Sequence, residues 1–81
     1  MNEQEIRQTI REFITCELIR DESYPLKDDE GIISNGLMDS FSLAELGVFV
    51  EDRYNIYIPD ADLTVDQMDT LDLIVARIMR G

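Results

Sequence analysis

The chain has 81 residues, 44% of them hydrophobic, with 7 basic and 18 acidic residues, no histidine and a formal net charge of -11. That is enough for one small folded domain, 1–81, whose apolar side chains are nearly all needed for its core. Such a charge excludes nucleic acid and anionic membrane as partners, since both need Lys and Arg, and it favours partners with basic docking patches.

Cys16 is the single cysteine, so no intrachain disulfide can form, which suits a reducing cytoplasm. The opening Met1-Asn2-Glu3-Gln4-Glu5 has neither a basic nor an apolar segment of the signal-peptide kind. No apolar run reaches membrane-spanning length. The expectation is a cytoplasmic monomer.

The first helix is expected over Glu3 to Ile19. Ile6, Ile10, Phe13, Ile14 and Leu18 recur at helical spacing, and Glu5, Arg7, Gln8, Arg11 and Glu12 fill the other face. Asn2 and Glu5 form a capping pair. Cys16 lies at the edge of the stripe and reads as a small buried apolar residue. With no histidine to activate it, a catalytic thiol is not expected.

A long connection follows, from Arg20 to Asp39, with Pro25, the acidic run Asp28-Asp29-Glu30, Gly31 and the turn signal Asn35-Gly36. Loops of this length in a compact domain are functional or pinned by their own side chains. Tyr24, Leu26, Ile32, Ile33 and Leu37 are the expected pins, with room for one short helical turn.

The second helix is expected over Ser40 to Tyr54, with Asp39 as N-cap and Ser42 with Glu45 as a second capping box. Leu43, Leu46, Phe49, Val50 and Tyr54 fall on one arc, the core face. Ala44 and Val48 fall outside it, framed by Glu45, Glu51 and Asp52. Such an apolar ridge with charged rims is where a partner would dock, although each residue also fits a solvated helix face. Gly47 lies mid-helix, at a cost of roughly 1 kcal/mol against alanine, and would allow a close approach.

Asn55 ends this helix. Ile56-Tyr57-Ile58-Pro59 alternates like a strand but has no partner strand, so it reads as a connector with Ile56 and Ile58 inward. Thr64 to Gln67 fits a capping box and predicts a short third helix, Thr64 to Met68. The last helix is expected over Leu71 to Met79, capped by Asp69 or Thr70. Its stripe is Leu71, Ile74, Val75, Ile78 and Met79, and Arg77 and Arg80 suit the C-terminal end of its dipole. The fold class is all-α: a four-helix bundle of three longer helices and one short one, with a long loop between the first and second helices.

Ser40 is the residue of chemical interest. It stands in the first turn of a helix, where unpaired N–H groups and the dipole favour a negative group on or near its hydroxyl. It has no histidine for a triad, and Leu43 occupies the place a Ser-x-x-Lys lysine would take. A serine there is acted upon rather than acting, or is simply a helix-start residue.

Gly36-Leu37-Met38-Asp39-Ser40-Phe41, followed by Leu43, Glu45 and Leu46, resembles the attachment site of the acyl and peptidyl carrier protein family. Glu51 to Asp60, with Ile56-Tyr57-Ile58-Pro59-Asp60, is similar to that family's acidic, aromatic Ile-x-Ile-Pro-Asp stretch. The resemblance covers nearly the whole chain. It implies a non-catalytic carrier whose Ser40 receives 4'-phosphopantetheine from coenzyme A through a separate Mg²⁺-dependent phosphopantetheinyl transferase. Asp39 would help that transferase place its metal and the serine. The arm would carry an acyl or aminoacyl thioester between a loading ligase and a downstream synthase or transferase. Ala44, Glu45, Val48, Glu51 and Asp52 match the family's docking face.

Phe41 stands where fatty-acid carriers usually have leucine. The wording is closer to stand-alone aminoacyl carriers, D-alanyl carriers among them, and to carriers of polyketide or nonribosomal peptide pathways. The rivals are a fatty-acid carrier and, from another class, an acidic helical interaction module or a calcium-binding module. The calcium loop fails on its ligands. With Gly31 as its central glycine, the first and twelfth ligands would be Leu26 and Leu37. With Asp60 as first ligand, Val65 takes the glycine's place and Leu71 the last ligand's.

Overall fold

The computed structural model describes residues 2–81. In chain order it runs α1 (Glu3–Phe13), a π-helical continuation Ile14–Ile19, the loop, α2 (Ser40–Tyr54), a 3₁₀ turn Asp60–Asp62, α3 (Val65–Met68) and α4 (Leu71–Arg80). No strand occurs among the described residues. The all-α bundle of three longer helices and one short one is as the periodicity requires.

Helix α1 starts where Asn2 caps it. The Asn2 side chain accepts from the amides of Gln4 (2.8 Å) and Glu5 (3.3 Å), satisfying two of the orphan donors of the first turn. The helix then widens at Ile14 rather than continuing as α to Ile19, as the periodicity suggests. Thr15 is buried at the widening, and its hydroxyl donates back to the Arg11 carbonyl, 3.0 Å. Such back-bonding bends helices. Arg20 ends the segment with φ 64.

The wider winding changes what faces inward. Ile6, Ile10 and Ile14 are buried, while Phe13 and Leu18 are half-buried. Cys16, expected to be buried, is exposed. It lies at the edge of the apolar stripe, on the solvent side of the widened segment.

The loop is pinned as a chain of this length must be. Leu26 and Ile32 are buried, Tyr24, Ile33 and Leu37 are half-buried, and Met38 is a further buried pin. The helical turn lies at 31–36, where the Asn35 amide donates to the Gly31 carbonyl, 3.2 Å. Gly36 takes φ 80, a left-handed conformation that glycine adopts without a Cβ penalty.

Charged residues fasten the loop to the helices. Arg7 pairs with Asp72 (2.6 Å), Glu3 (3.3 Å) and Asp28 (3.6 Å), and Arg11 also pairs with Asp28. The Asp72 hydrogen bond is the largest influence holding the Arg7 guanidinium even more firmly protonated than usual. The Asp72 amide donates to the Asp28 carbonyl, 3.0 Å, so loop and α4 are tied by backbone as well.

Leu43, Leu46 and Val50 of α2 are buried, Phe49 and Tyr54 half-buried. Asn55 closes the helix in the left-handed region, φ 58, which asparagine tolerates. Ile56 and Ile58 point into the core and Tyr57 out, as alternation along an extended connector demands. Helix α3 has Thr64 at its N-cap position without a side-chain bond, so the capping box there does not form. Thr70 caps α4 through the Leu73 amide, 3.1 Å.

Leu71, Ile74, Val75 and Ile78 are buried, whereas Met79, expected on that stripe, is 45% exposed in the last turn. Arg77, placed by its dipole position, is instead buried against Asp62, 3.1 Å, and also donates to the Gly81 carbonyl. Burial of its stem alongside a paired carboxylate outweighs solvation of the end of the helix.

Candidate functional site at the start of the second helix

Helix α2 begins with an exposed side chain displayed on a fixed base. Met38 is buried and anchors the approach. Asp39 is extended (φ -116, ψ -172) and caps the helix, its Oδ1 accepting from the Ser42 amide at 2.9 Å. That amide, and the Ser42 hydroxyl beside it, hold the Asp39 carboxyl below the usual aspartate range. The expected second box, Ser42 with Glu45, does not form, because the Ser42 amide is already committed to Asp39 one frame earlier.

Ser40 follows as the first helical residue and is exposed. The residue thus stands exposed at the electropositive end of a 15-residue helix. The helix end offers positive potential of the kind that favours an anionic group near this hydroxyl. The ionised Asp39 beside it is an oxygen ligand of the kind Mg²⁺ prefers.

The expected docking residues, Ala44, Glu45, Val48, Glu51 and Asp52, are all exposed on α2. Val48 is 60% exposed. Two open grooves flank this face. One, of about 550 Å³, is lined by Phe13, Phe41, Ala44, Glu45, Val48, Phe49 and Asp52. The other, of about 950 Å³, is lined by Phe13, Cys16, Glu17, the 20–23 segment and Glu45. Glu51 lies outside both.

Sequence reasoning missed two contributors to this surface. Phe41 is 80% exposed, and Phe13 reaches the groove from α1. The first was legible, since Phe41, Ala44 and Val48 form an i, i+3, i+7 row off the core arc. The second depends on Phe13 stacking against Phe49 of α2, a contact between distant segments. Gly47 is half-buried and faces Leu63. A Cβ there would meet its methyls at 3.6 Å, an ordinary contact, so no close approach requires this glycine.

No helix among the described residues is long and apolar enough to cross a membrane.

Comparison with known proteins bears on the chain as a whole. No family model matches the chain. It is 28% identical over 74 residues to a D-alanyl carrier protein of Leuconostoc mesenteroides subsp. mesenteroides, spanning 91% of this chain and 92% of that one. It is 29% identical over 65 residues to a D-alanyl carrier protein of Bacillus velezensis, covering 80% of this chain and 83% of that one. A third, from Lactobacillus acidophilus, is 32% identical over 50 residues, 62% of this chain, and the match spans 63% of that relative's length, just under two thirds.

Among solved structures, a chain from a crystal structure described as that of an FAD-dependent dehydrogenase superposes with a TM-score of 0.75. The match covers 85% of this chain and 97% of that one at 20% identity, a likeness of fold alone. The fold is a small all-α bundle, and the curated proteins this chain is similar to are D-alanyl carrier proteins, at 28–32% identity.

Proposed function

We propose that this protein is a non-catalytic carrier that holds an acyl or aminoacyl group on a 4'-phosphopantetheine arm attached to Ser40. The observation that supports this most directly is the exposure of Ser40 at the first position of α2, beside an ionised Asp39. The bound group would supply a thiol that carries its cargo as a thioester. This chain's own residues do the rest. Ser40 offers the hydroxyl, Asp39 fixes the helix start and presents an oxygen ligand to a transferase-bound Mg²⁺, and the α2 face presents carboxylates around an apolar row.

The D-alanyl carrier relatives favour an aminoacyl cargo, loaded by a ligase and passed to a transferase. A role in polyketide, nonribosomal peptide or fatty-acid synthesis would use the same site, with partners that again carry basic docking patches. A cytoplasmic setting fits the absence of disulfide-forming cysteine pairs in the sequence.

Intact-mass measurement after incubation with coenzyme A and a promiscuous phosphopantetheinyl transferase tests the reading. One added phosphopantetheine is expected on the wild type and none on a folded Ser40→Ala. An unmodified wild type, or a modified Ser40→Ala, would overturn it.

A further inference from the structure

The part of the loop nearest Ser40 is held from across the molecule by a carboxylate of its own. Asp69 sits at the junction of α3 and α4. Its Oδ1 accepts from the amides of Ile33 (2.8 Å) and Ser34 (2.9 Å), and its Oδ2 accepts from the Ser34 hydroxyl (2.8 Å). Its own carbonyl accepts from the Ile32 amide, 2.7 Å. The Ile32 carbonyl in turn accepts from the amides of Leu37 (2.9 Å) and Met38 (3.2 Å). Met38 is the buried residue two places before Ser40.

Hydrogen bonds therefore run without a gap from Asp69 to the residue that precedes the α2 cap. The fit is close: a Cβ on Gly31 would fall 2.2 Å from the Ser34 hydroxyl oxygen and 3.2 Å from Asp69 Oδ2. Partial burial raises the proton affinity of Asp69, but the Ser34 amide and hydroxyl and the Ile33 amide outweigh it and keep the carboxylate ionised.

Buried Leu26 and Ile32 already anchor the loop to the core. Three donors converging on one side chain do something more specific. They fix the orientation of the 31–36 turn, which leads through Leu37 and Met38 into Asp39 and Ser40. We propose that Asp69 is a positioning residue for the modification of Ser40, holding the approach to α2 in the conformation that a phosphopantetheinyl transferase recognises. This rests on Ser40 being the attachment point. The step it serves forms a bond between Ser40 Oγ and the phosphorus of coenzyme A's pantetheine phosphate. The serine proton passes to a base on the transferase, and the P–O bond to the departing 3',5'-phosphoadenosine half breaks.

The test uses the full chain, a promiscuous transferase and coenzyme A, with initial labelling rates read by intact mass at several carrier concentrations. Amide hydrogen exchange is read on the unmodified protein. Loss of the clasp lowers the fraction of chains with a competent approach and so raises the apparent KM in proportion. Asp69→Ala is expected to raise the KM for the carrier about tenfold with kcat little changed, and to speed exchange at the Leu37 and Met38 amides by at least as much. Asp69→Asn keeps an acceptor for both amides, and its NH₂ can donate to the Ser34 oxygen. It is expected to restore KM to within about twofold.

Val75→Ala, a core change on α4, controls for stability and should leave KM unchanged. Wild-type KM in Asp69→Ala, or an equal rise in Val75→Ala, would overturn the proposal. Should Asp69→Ala not fold, Ser34→Ala carries the test, with an expected rise of about threefold for the loss of one of three bonds; an unchanged KM there overturns it. Failure of the wild type to label, or labelling of Ser40→Ala, instead sinks the attachment reading itself.

Discussion

Phe13 and Phe49 stack with ring centroids 4.1 Å apart and planes 15° from parallel. This pair joins the point where α1 widens to the middle of α2, and it floors the groove beside the exposed Val48. Offset aromatic pairs contribute about 0.5–1.5 kcal/mol beyond the area they bury. A double-mutant cycle of Phe13→Leu and Phe49→Leu, followed by urea unfolding, should give a coupling energy in that range. Coupling near zero would mean that the two rings merely share a surface.

Gly47 is the cheapest site at which to stabilise the fold. It lies inside α2, where glycine costs about 0.5–1 kcal/mol against alanine. Its space accommodates a Cβ at ordinary contact distance from Leu63. Gly47→Ala should therefore raise unfolding stability by about that amount in chemical denaturation. A loss of stability would show that Leu63 cannot yield at all.

Acid should loosen the loop and the α2 cap through Asp69 and Asp39. Both carboxyls bind protons less readily in the folded chain than in the unfolded one. Their contribution is thus complete above the ordinary aspartate range, about pH 4, and is lost as pH falls below it through the lowered folded values. Glu30, held low first by the Tyr24 hydroxyl and then by the Lys27 amide, behaves in the same sense. Measured from pH 7 to pH 3, the stability gap between wild type and Asp69→Ala should narrow as the wild type becomes protonated, by the part of the clasp that depends on charge. A gap constant over that range would place the clasp's worth in packing rather than charge.

The docking face should respond to charge and not to fold. Glu45 is exposed and borders both grooves. Glu45→Lys is expected to lower kcat/KM with a cognate loading enzyme by about tenfold at low salt, with the deficit shrinking as salt rises. Unfolding stability should move by no more than about 0.5 kcal/mol, as for other surface changes. Unaltered kinetics with each cognate enzyme would remove Glu45 from the contact.

Much of this was legible before any coordinates. The span of α2 and its Asp39 cap followed from Ser40 to Tyr54 alone, because a capping residue, a clean apolar arc and Asn55 all agreed. The exposure of Ala44 and Val48 followed from the same wheel. What escaped was set by contacts between distant segments. The widening after Phe13 coincides with a buried threonine hydroxyl that turns back on its own helix, and Cys16 lies exposed beside it. Met79 lost its expected burial because the stripe outlasts the surface available to cover it. The clasp of Asp69 on Ser34 joins residues with no periodic relation, so no spacing announces it.

The outward turn of Cys16 has a practical corollary. A carrier bearing the arm but no cargo would present two thiols, one on the prosthetic arm and one on the protein, so thiol titration or maleimide tagging of the arm would be ambiguous unless Cys16 were first changed to serine. Kept in place and derivatised in the unloaded protein, the same sulfur would put a fluorophore beside Glu45, where it could report the arrival of an enzyme in real time.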